Sequence, residues 1–449
     1  MKNILKIFLA LMLTLNIGTY ASAYGASLKK TIKKMNLDEN SIVSVSVRRL
    51  DSGKEVYAQN ENKYLHPASS LKVFTFAPAL EVLGGDYEFS TKIYKYNNDY
   101  YVKLGADPLL TSADLRKLIS EFKDNPTVGK INKIYIDDTI IDKVAYPEGW
   151  GSDDIYPSAP MVSPYIINGN KVKVKFVIRK GEKTPSILQN DFVKFAFINN
   201  LTVGSSEPFK MQKIDEDSAI FLLSGGISAD KEITIPVDNP KFYFIANLDS
   251  ALDKEKINYE KQFYFAKTPS DALEVAGVGH GIEAVAKRIL QNSDNYSAEV
   301  LFKVAGGKYT QTEKPATTAD GIKMFYDFYE KTGFDMSDIK IVDGSGLSRY
   351  NLATTSWLSD ALIYIDKFTP LRNYMAVPDV GTLSKRLRHL NGVLWAKTGT
   401  LNGVSSLSGY IQTYKNKELV FSVIIMNFNE KPSVIKGFED EIIDKLRDM

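Results

Sequence analysis

The chain has 449 residues, 44% hydrophobic and 24% charged, with a formal net charge of +2. That is enough for roughly two to three domains with sizeable cores, and the composition excludes a collagenous, coiled-coil or disordered chain. There is no cysteine, which rules out disulfide frameworks, zinc–cysteine sites and thiol nucleophiles. The three histidines, His66, His280 and His389, lie beyond helical reach of one another, so no metal cofactor is expected.

The first residues read as a secretory leader. Lys2 and Lys6 precede or interrupt a largely apolar run from Leu5 to Ile17, and Ala21-Ser22-Ala23 has the small-x-small form of a cleavage site. The run is short for a membrane span. The expectation is a signal peptide over 1–23 and export to a periplasm, wall or extracellular space. Its loss takes two of 56 basic residues and leaves 54 against 54 acidic ones, so nothing points to nucleic-acid binding.

Val43, Val45 and Val47 alternate with Ser44, Ser46 and Arg48, which predicts a strand. The turn Asp51-Ser52-Gly53 and a return strand at Glu55-Val56-Tyr57 follow. Pro67 ahead of Ala68 to Phe74 reads as a helix start with Ser near the N-cap, and Pro78 should kink or end that helix. From about 86 to 239 short β-rich runs, such as 92–96 and 171–176, alternate with turn clusters. Helical patterns return at Lys241 to Leu252, Ile282 to Gln291, Ser293 to Val304 and Asp320 to Lys331. A β block from Val393 to Phe428 follows. A terminal helix should bury Ile435, Phe438, Ile442 and Leu446. Helix-rich ends around a β-rich middle are what an insertion into one discontinuous domain produces.

Three short motifs carry chemistry. Ser69 and Lys72 are three apart, so on a helix a hydroxyl meets an amine that can serve as its base. Ser-x-x-Lys occurs six times, starting at Ser27, Ser69, Ser120, Ser228, Ser337 and Ser433, so alone it says little. Ser293-Asp294-Asn295 is the sole Ser-x-Asn; it reads either as helix-capping residues or as a proton-relaying hydroxyl with a substrate-orienting amide. Lys-Thr-Gly occurs twice. Lys331-Thr332-Gly333 ends a helical pattern with a cation and a C-terminal glycine, which is a structural stop. Lys397-Thr398-Gly399-Thr400 sits in the β block, where glycine admits a ligand backbone and the amine and hydroxyls can bind a carboxylate.

Ser69-x-x-Lys72, Ser293-Asp294-Asn295 and Lys397-Thr398-Gly399 in this order form the triplet of serine β-lactamases and penicillin-binding proteins. With Pro67 to Lys72, Gly105-Ala106-Asp107-Pro108, Ala298-Glu299, Asp343 to Ser348 and Ala396 to Gly403, the chain resembles the class C low-molecular-mass penicillin-binding proteins, the D-Ala-D-Ala carboxypeptidases and endopeptidases. The Asp343 to Ser348 stretch by itself reads only as a turn.

The resemblance implies an α+β penicillin-binding fold. An antiparallel sheet flanked by helices and a helical subdomain carrying Ser293 would come from 24–85 and 240–449, interrupted by a mostly β domain at 86–165 and a nested one at 166–239. It also implies roles. Ser69 is the nucleophile, Lys72 the general base and Ser293 a proton relay. Asn295 holds a substrate amide, Lys397, Thr398 and Thr400 bind the terminal carboxylate beside Gly399, and the Ser69 and Thr400 N–H groups form the oxyanion hole. Aligning Gly149 to Asp154 assigns Asp154 to the substrate's amino side chain, against a plain solvated acid. No cofactor is implied. The expected partners are peptidoglycan stem peptides and acylating β-lactams. A β-lactamase, an esterase, and a non-catalytic sensor or wall-binding protein are the competing readings. His66 is expected to be a packing contact.

Overall fold

The computed structural model describes residues 25–35, 37–151, 159–214 and 218–449. The expected leader and Asp154 lie outside these residues. The described chain forms two compact units. One comprises residues up to Pro78, Ala286–Asn295 and Phe325–Met449; the other comprises Ala79–Val285 and Tyr296–Met324.

The first unit is built on an antiparallel five-stranded sheet. Its order is Leu394–Leu401, Val404–Gln412, Glu418–Met426, Ile42–Arg49, Glu55–Gln59. Val43, Val45 and Val47 face a core shared with Leu28, Ile435, Ile442 and Leu446, brought by a helix over 25–34 and the terminal helix Pro432–Arg447. Phe438 packs at its margin, partly buried. The serine face is buried as well: helix Thr355–Phe368 lies on it, with Thr355 Oγ1 2.8 Å from Ser44 Oγ and Ser359 Oγ donating to Ser46 O at 3.3 Å. Small side chains admit a helix close to the sheet; the Ser44 hydroxyl pairs with Thr355 there, and Ser46 takes part through its backbone carbonyl.

Pro67 leads into a single 3-10 turn, Ala68–Ser70, and then helix Leu71–Leu83. No side chain caps this start, so Ser69 lies within the turn rather than at an N-cap. Pro78 does not end the helix. It removes the N–H that would bond the Phe74 carbonyl, and the buried Tyr329 hydroxyl donates to that carbonyl instead, at 3.0 Å.

The second unit holds a mixed five-stranded sheet in the order Phe263–Phe265, Ile134–Asp137, Asp99–Lys103, Glu88–Tyr96, Leu273–Gly281. Helices Ser112–Asp124 and Pro240–Lys254 pack on the same core through Leu115, Leu118, Phe122, Phe244 and Leu248. Residues 171–236 form two three-stranded sheets. Helices Ile282–Leu290, Asn295–Thr310 and Thr318–Glu330 follow in sequence. Among the described residues no helix is long and apolar enough to cross a membrane.

Candidate active site

The first unit gathers Ser69, Lys72, Ser293, Asn295 and Lys397. The 3-10 turn runs directly into the helix, so residues three apart share a face and Lys72 Nζ lies 2.9 Å from Ser69 Oγ. The same amine donates to Asn295 Oδ1 at 2.5 Å and to the Ser345 carbonyl at 2.6 Å. Lys72 is fully buried and Ser69 partly exposed. Both carbonyl oxygens are pure acceptors and so require N–H groups. A neutral amine that spends its two N–H bonds on them turns its lone pair toward Ser69 Oγ.

Lys397 comes from the edge strand Leu394–Leu401. Its Nζ donates to Ser293 Oγ and to the Thr398 carbonyl, each at 2.7 Å. Burial, then the charge of Lys72, holds its pKa well below the ordinary lysine range. Its charged form is therefore disfavoured, and its amine fixes the direction of the Ser293 hydroxyl. Ser293 itself is not helical. Helix Asn295–Thr310 begins two residues later, and Ser293 takes a left-handed φ of +61°, a conformation costing a non-glycine residue about 1–2 kcal/mol. Ala68, beside Ser69, is likewise at +48°.

Gly399 explains the glycine of the third motif. A Cβ there would come 2.2 Å from Ser406 Oγ and 2.8 Å from Ser69 N, so only glycine lets this strand pass the nucleophile's backbone. Thr398 is nearly buried and Thr400 exposed. The neighbouring Ser70 is structural: fully buried, its hydroxyl lies 2.8 Å from Ser406 Oγ and donates to Lys397 O at 3.3 Å. The other Lys-Thr-Gly behaves as its pattern predicts. Gly333, at φ +86°, closes helix Thr318–Glu330, with Gly333 N–H donating to Glu330 O.

Asp343 to Ser348 is the element whose function the sequence concealed. The buried Asp343 carboxylate accepts from Gly346 N and Asn351 Nδ2 on one oxygen, each at 2.8 Å. Its other oxygen accepts from Ser348 N at 2.8 Å and Ser345 Oγ at 3.0 Å. The loop so fixed presents Ser345 O to Lys72 and Gly344 O to Thr75 Oγ1, the latter at 2.6 Å. A backbone carbonyl leaves no trace in residue identity; the one available signal was the density of short polar side chains in Asp343-Gly-Ser-Gly-Leu-Ser348. His66 is a packing contact, its Nδ1 2.9 Å from Asn351 O at the end of this loop. Asp154 lies outside the described residues.

This is the penicillin-binding fold. The crystal structure of penicillin-binding protein 4 (dacB) from Haemophilus influenzae superposes with a TM-score of 0.79 over 95% of this chain and 99% of its own, at 21% identity. A second structure of that protein, complexed with a β-lactam, gives a TM-score of 0.74 at 22% identity, over 95% of this chain and 99% of its own. The D-Ala-D-Ala carboxypeptidase 3 (S13) family model matches residues 25–446, and the chain belongs to that family, the serine-type D-Ala-D-Ala carboxypeptidases. The D-alanyl-D-alanine carboxypeptidase of Actinomadura sp. (strain R39) is 27% identical over 423 residues, spanning 86% of this chain and 78% of the relative. DacB of Haemophilus influenzae is 23% identical over 419 residues, spanning 88% and 87%.

Proposed function

We propose that the protein is exported and cleaves D-Ala-D-Ala termini of peptidoglycan stem peptides through an acyl-enzyme on Ser69. The observation that carries this reading is the position of Lys72 Nζ, held by the carbonyls of Asn295 and Ser345 with Ser69 Oγ at 2.9 Å. In the neutral form Lys72 takes the Ser69 proton as Oγ adds to the carbonyl between the two D-alanines. The Ser69 and Thr400 N–H groups hold the resulting oxyanion, an arrangement typically contributing about 3–4 kcal/mol. Ser293 relays the proton that Lys72 took from Ser69 to the departing D-alanine amine, which restores the neutral base. Water then takes the acyl group from Ser69.

Asn295 uses its Oδ1 on Lys72, which leaves Nδ2 for a substrate carbonyl. Lys397, Thr398 and Thr400, beside Gly399, receive the terminal carboxylate, and Asp154 reads an amino group on the peptide. A β-lactam presents its carboxylate and strained amide to the same groups and acylates Ser69. Cross-bridge peptides offer the same scissile carbonyl with a longer leaving amine, so endopeptidase action belongs to the proposal. From the sequence the inserted portions are placed at 86–165 and 166–239, with strands Phe263–Phe265 and Leu273–Gly281 joining the sheet of the first.

Intact-mass analysis of mature protein with benzylpenicillin over time tests this reading. The expected result is a persistent adduct on the wild type and none on a folded Ser69→Ala variant, with D-alanine released from stem peptides by the wild type alone. Rapid hydrolysis of the drug would make the protein a β-lactamase. Untouched drug with no D-alanine release would make it a scaffold or an esterase for another substrate.

A further inference from the structure

The second unit contains a cleft of about 410 Å³ that the reaction above does not use. It is lined by helix Ser112–Asp124, helix Pro240–Lys254 and the loop after strand Ser186–Gln189. The loop is pinned in place. Asn168 Nδ2 donates to Ser112 Oγ at 2.7 Å and to Tyr243 OH at 3.0 Å, and the buried Tyr243 hydroxyl donates to Asp191 Oδ2 at 2.9 Å. Gln189 holds the loop's far end by accepting from Phe195 N at 2.8 Å and donating to Phe195 O at 2.9 Å.

The groups left over define the ligand. Asp191 supplies the only carboxylate of the lining among the described residues, and the Tyr243 phenol already occupies it. Arg116 and Lys254 have no hydrogen-bond or ion-pair partner among the described residues. Lys117 and Lys123, on the same helix as Arg116, pair with Glu121 and Glu255. Two uncompensated cations favour an anion. The rest of the lining is largely polar, with Asn190 and Ser250 beside the cations, which disfavours an apolar ligand. The exceptions are the buried Ala251 and Phe192, 49% exposed, whose ring face suits the C–H face of a sugar. The volume lies within the range of small-ligand pockets.

We propose that this cleft binds the N-acetylmuramic acid of glycan strands freed of their stem peptides, where the lactyl carboxylate is no longer held in the amide to the peptide, with Arg116 and Lys254 on the carboxylate and Phe192 under the sugar ring. It would hold polymer independently of the acylation site. The proposal rests on the peptidoglycan reading above for the source of the glycan.

The test uses the full mature chain in a Ser69→Ala background, so that turnover does not erode the polymer. Sedimentation with insoluble peptidoglycan from which an amidase has removed the stem peptides is measured for that chain, for an added Arg116→Ala/Lys254→Ala pair, and for an added Phe192→Ala. Binding is expected to weaken about tenfold or more for the pair, given the strength of hydrogen bonds to charged groups. In the Ser69-containing protein the same cleft substitutions should leave benzylpenicillin acylation and melting temperature unchanged.

N-acetylmuramic acid should shift the NMR signals of the cleft, and N-acetylglucosamine, which lacks the carboxylate, should not. Undiminished sedimentation of both cleft variants would overturn the proposal, as would cleft shifts from inorganic phosphate with none from N-acetylmuramic acid. Loss of acylation in the Ser69-containing wild type would instead sink the catalytic reading and leave the cleft result standing.

Discussion

Asp343→Asn is the most informative change outside the reacting groups. It preserves the shape of the side chain but turns one acceptor oxygen into an N–H₂ donor. The carboxylate receives at least four donors among the described residues, at least two on each oxygen. The favoured amide orientation turns its nitrogen toward Ser348 N and Ser345 Oγ; the serine hydroxyl can accept, so one donor, Ser348 N, meets a donor. That lost bond costs about 1.5–3 kcal/mol, and the other bonds weaken as the charge is removed. The loop will relax to recover part of this, and relaxation moves the Ser345 carbonyl away from Lys72 Nζ, now 2.6 Å distant. The expected outcome is a loss of about 3 kcal/mol in stability, with acylation slower by about 10²-fold, the scale of a 1 Å misplacement. Stopped-flow acylation by benzylpenicillin would be read well below the melting temperature, with the folded fraction checked by near-ultraviolet circular dichroism. A fully folded Asp343→Asn variant that acylates within about threefold of wild type would refute the argument that this loop orients the base.

Lys397→Met should leave stability at pH 7 equal or higher while acylation falls by about 10²–10⁴-fold, the range of a lost proton relay, because Ser293 loses the amine that positions it. Its pKa is depressed on folding, so below the unfolded lysine value the unfolded chain binds the extra proton and wild-type stability climbs with pH. The variant should lose that slope in urea titrations, and a destabilised variant would contradict the reasoning. Burial raises the Asp107 pKa to about 6 although His280 Nδ1 sits 2.7 Å away. The folded state therefore binds more protons than the unfolded one from about pH 4 to 6. Stability is fully present below that window and lost as pH rises through it, by about 3 kcal/mol for a shift of two units; Asp107→Asn should flatten the curve. Lys331→Ala should keep acylation within about twofold, since its motif is a helix stop; a large loss in a folded variant would mean the wrong Lys-Thr-Gly was chosen.

What the sequence disclosed was local chemistry. Ser69 and Lys72, Ser293 and Asn295, and Lys397 to Gly399 are compact motifs, and their order along the chain is more specific than any one of them. The decoy at Lys331 was separable because a cation followed by glycine at the end of a helical pattern has a structural explanation of its own. What stayed hidden depends on long-range partners or on backbone atoms. Ser44 and Ser46 show a polar alternation, yet they lie under a helix more than 300 residues away in sequence. Strands Phe263–Phe265 and Leu273–Gly281 complete a sheet begun at Glu88, a pairing no local pattern encodes. Ser345 acts through its carbonyl, which any residue has. The helix expected to begin at Ser293 begins at Asn295, because Ser293 takes the left-handed conformation that brings its hydroxyl to Lys397.

The first unit also shows where folding and chemistry pull apart. Lys72 and Lys397 are both fully buried, and the charge of one lowers the pKa of the other. Ala68 and Ser293, which precede the nucleophile in the chain and carry the relay hydroxyl respectively, both sit at positive φ. Each left-handed residue costs about 1–2 kcal/mol, and burial disfavours the charged form of Lys397. None of these features improves packing. They persist because the sheet and its two helix layers over-determine the geometry. All of them lie around Ser69: Ala68 precedes it in the chain, Lys72 Nζ lies 2.9 Å from its hydroxyl, and Lys397 holds the Ser293 hydroxyl. Had the fold been optimised for stability alone, Lys397 would be replaceable by an apolar side chain of similar length at no cost, which is why the stability and the activity of Lys397→Met are expected to move independently.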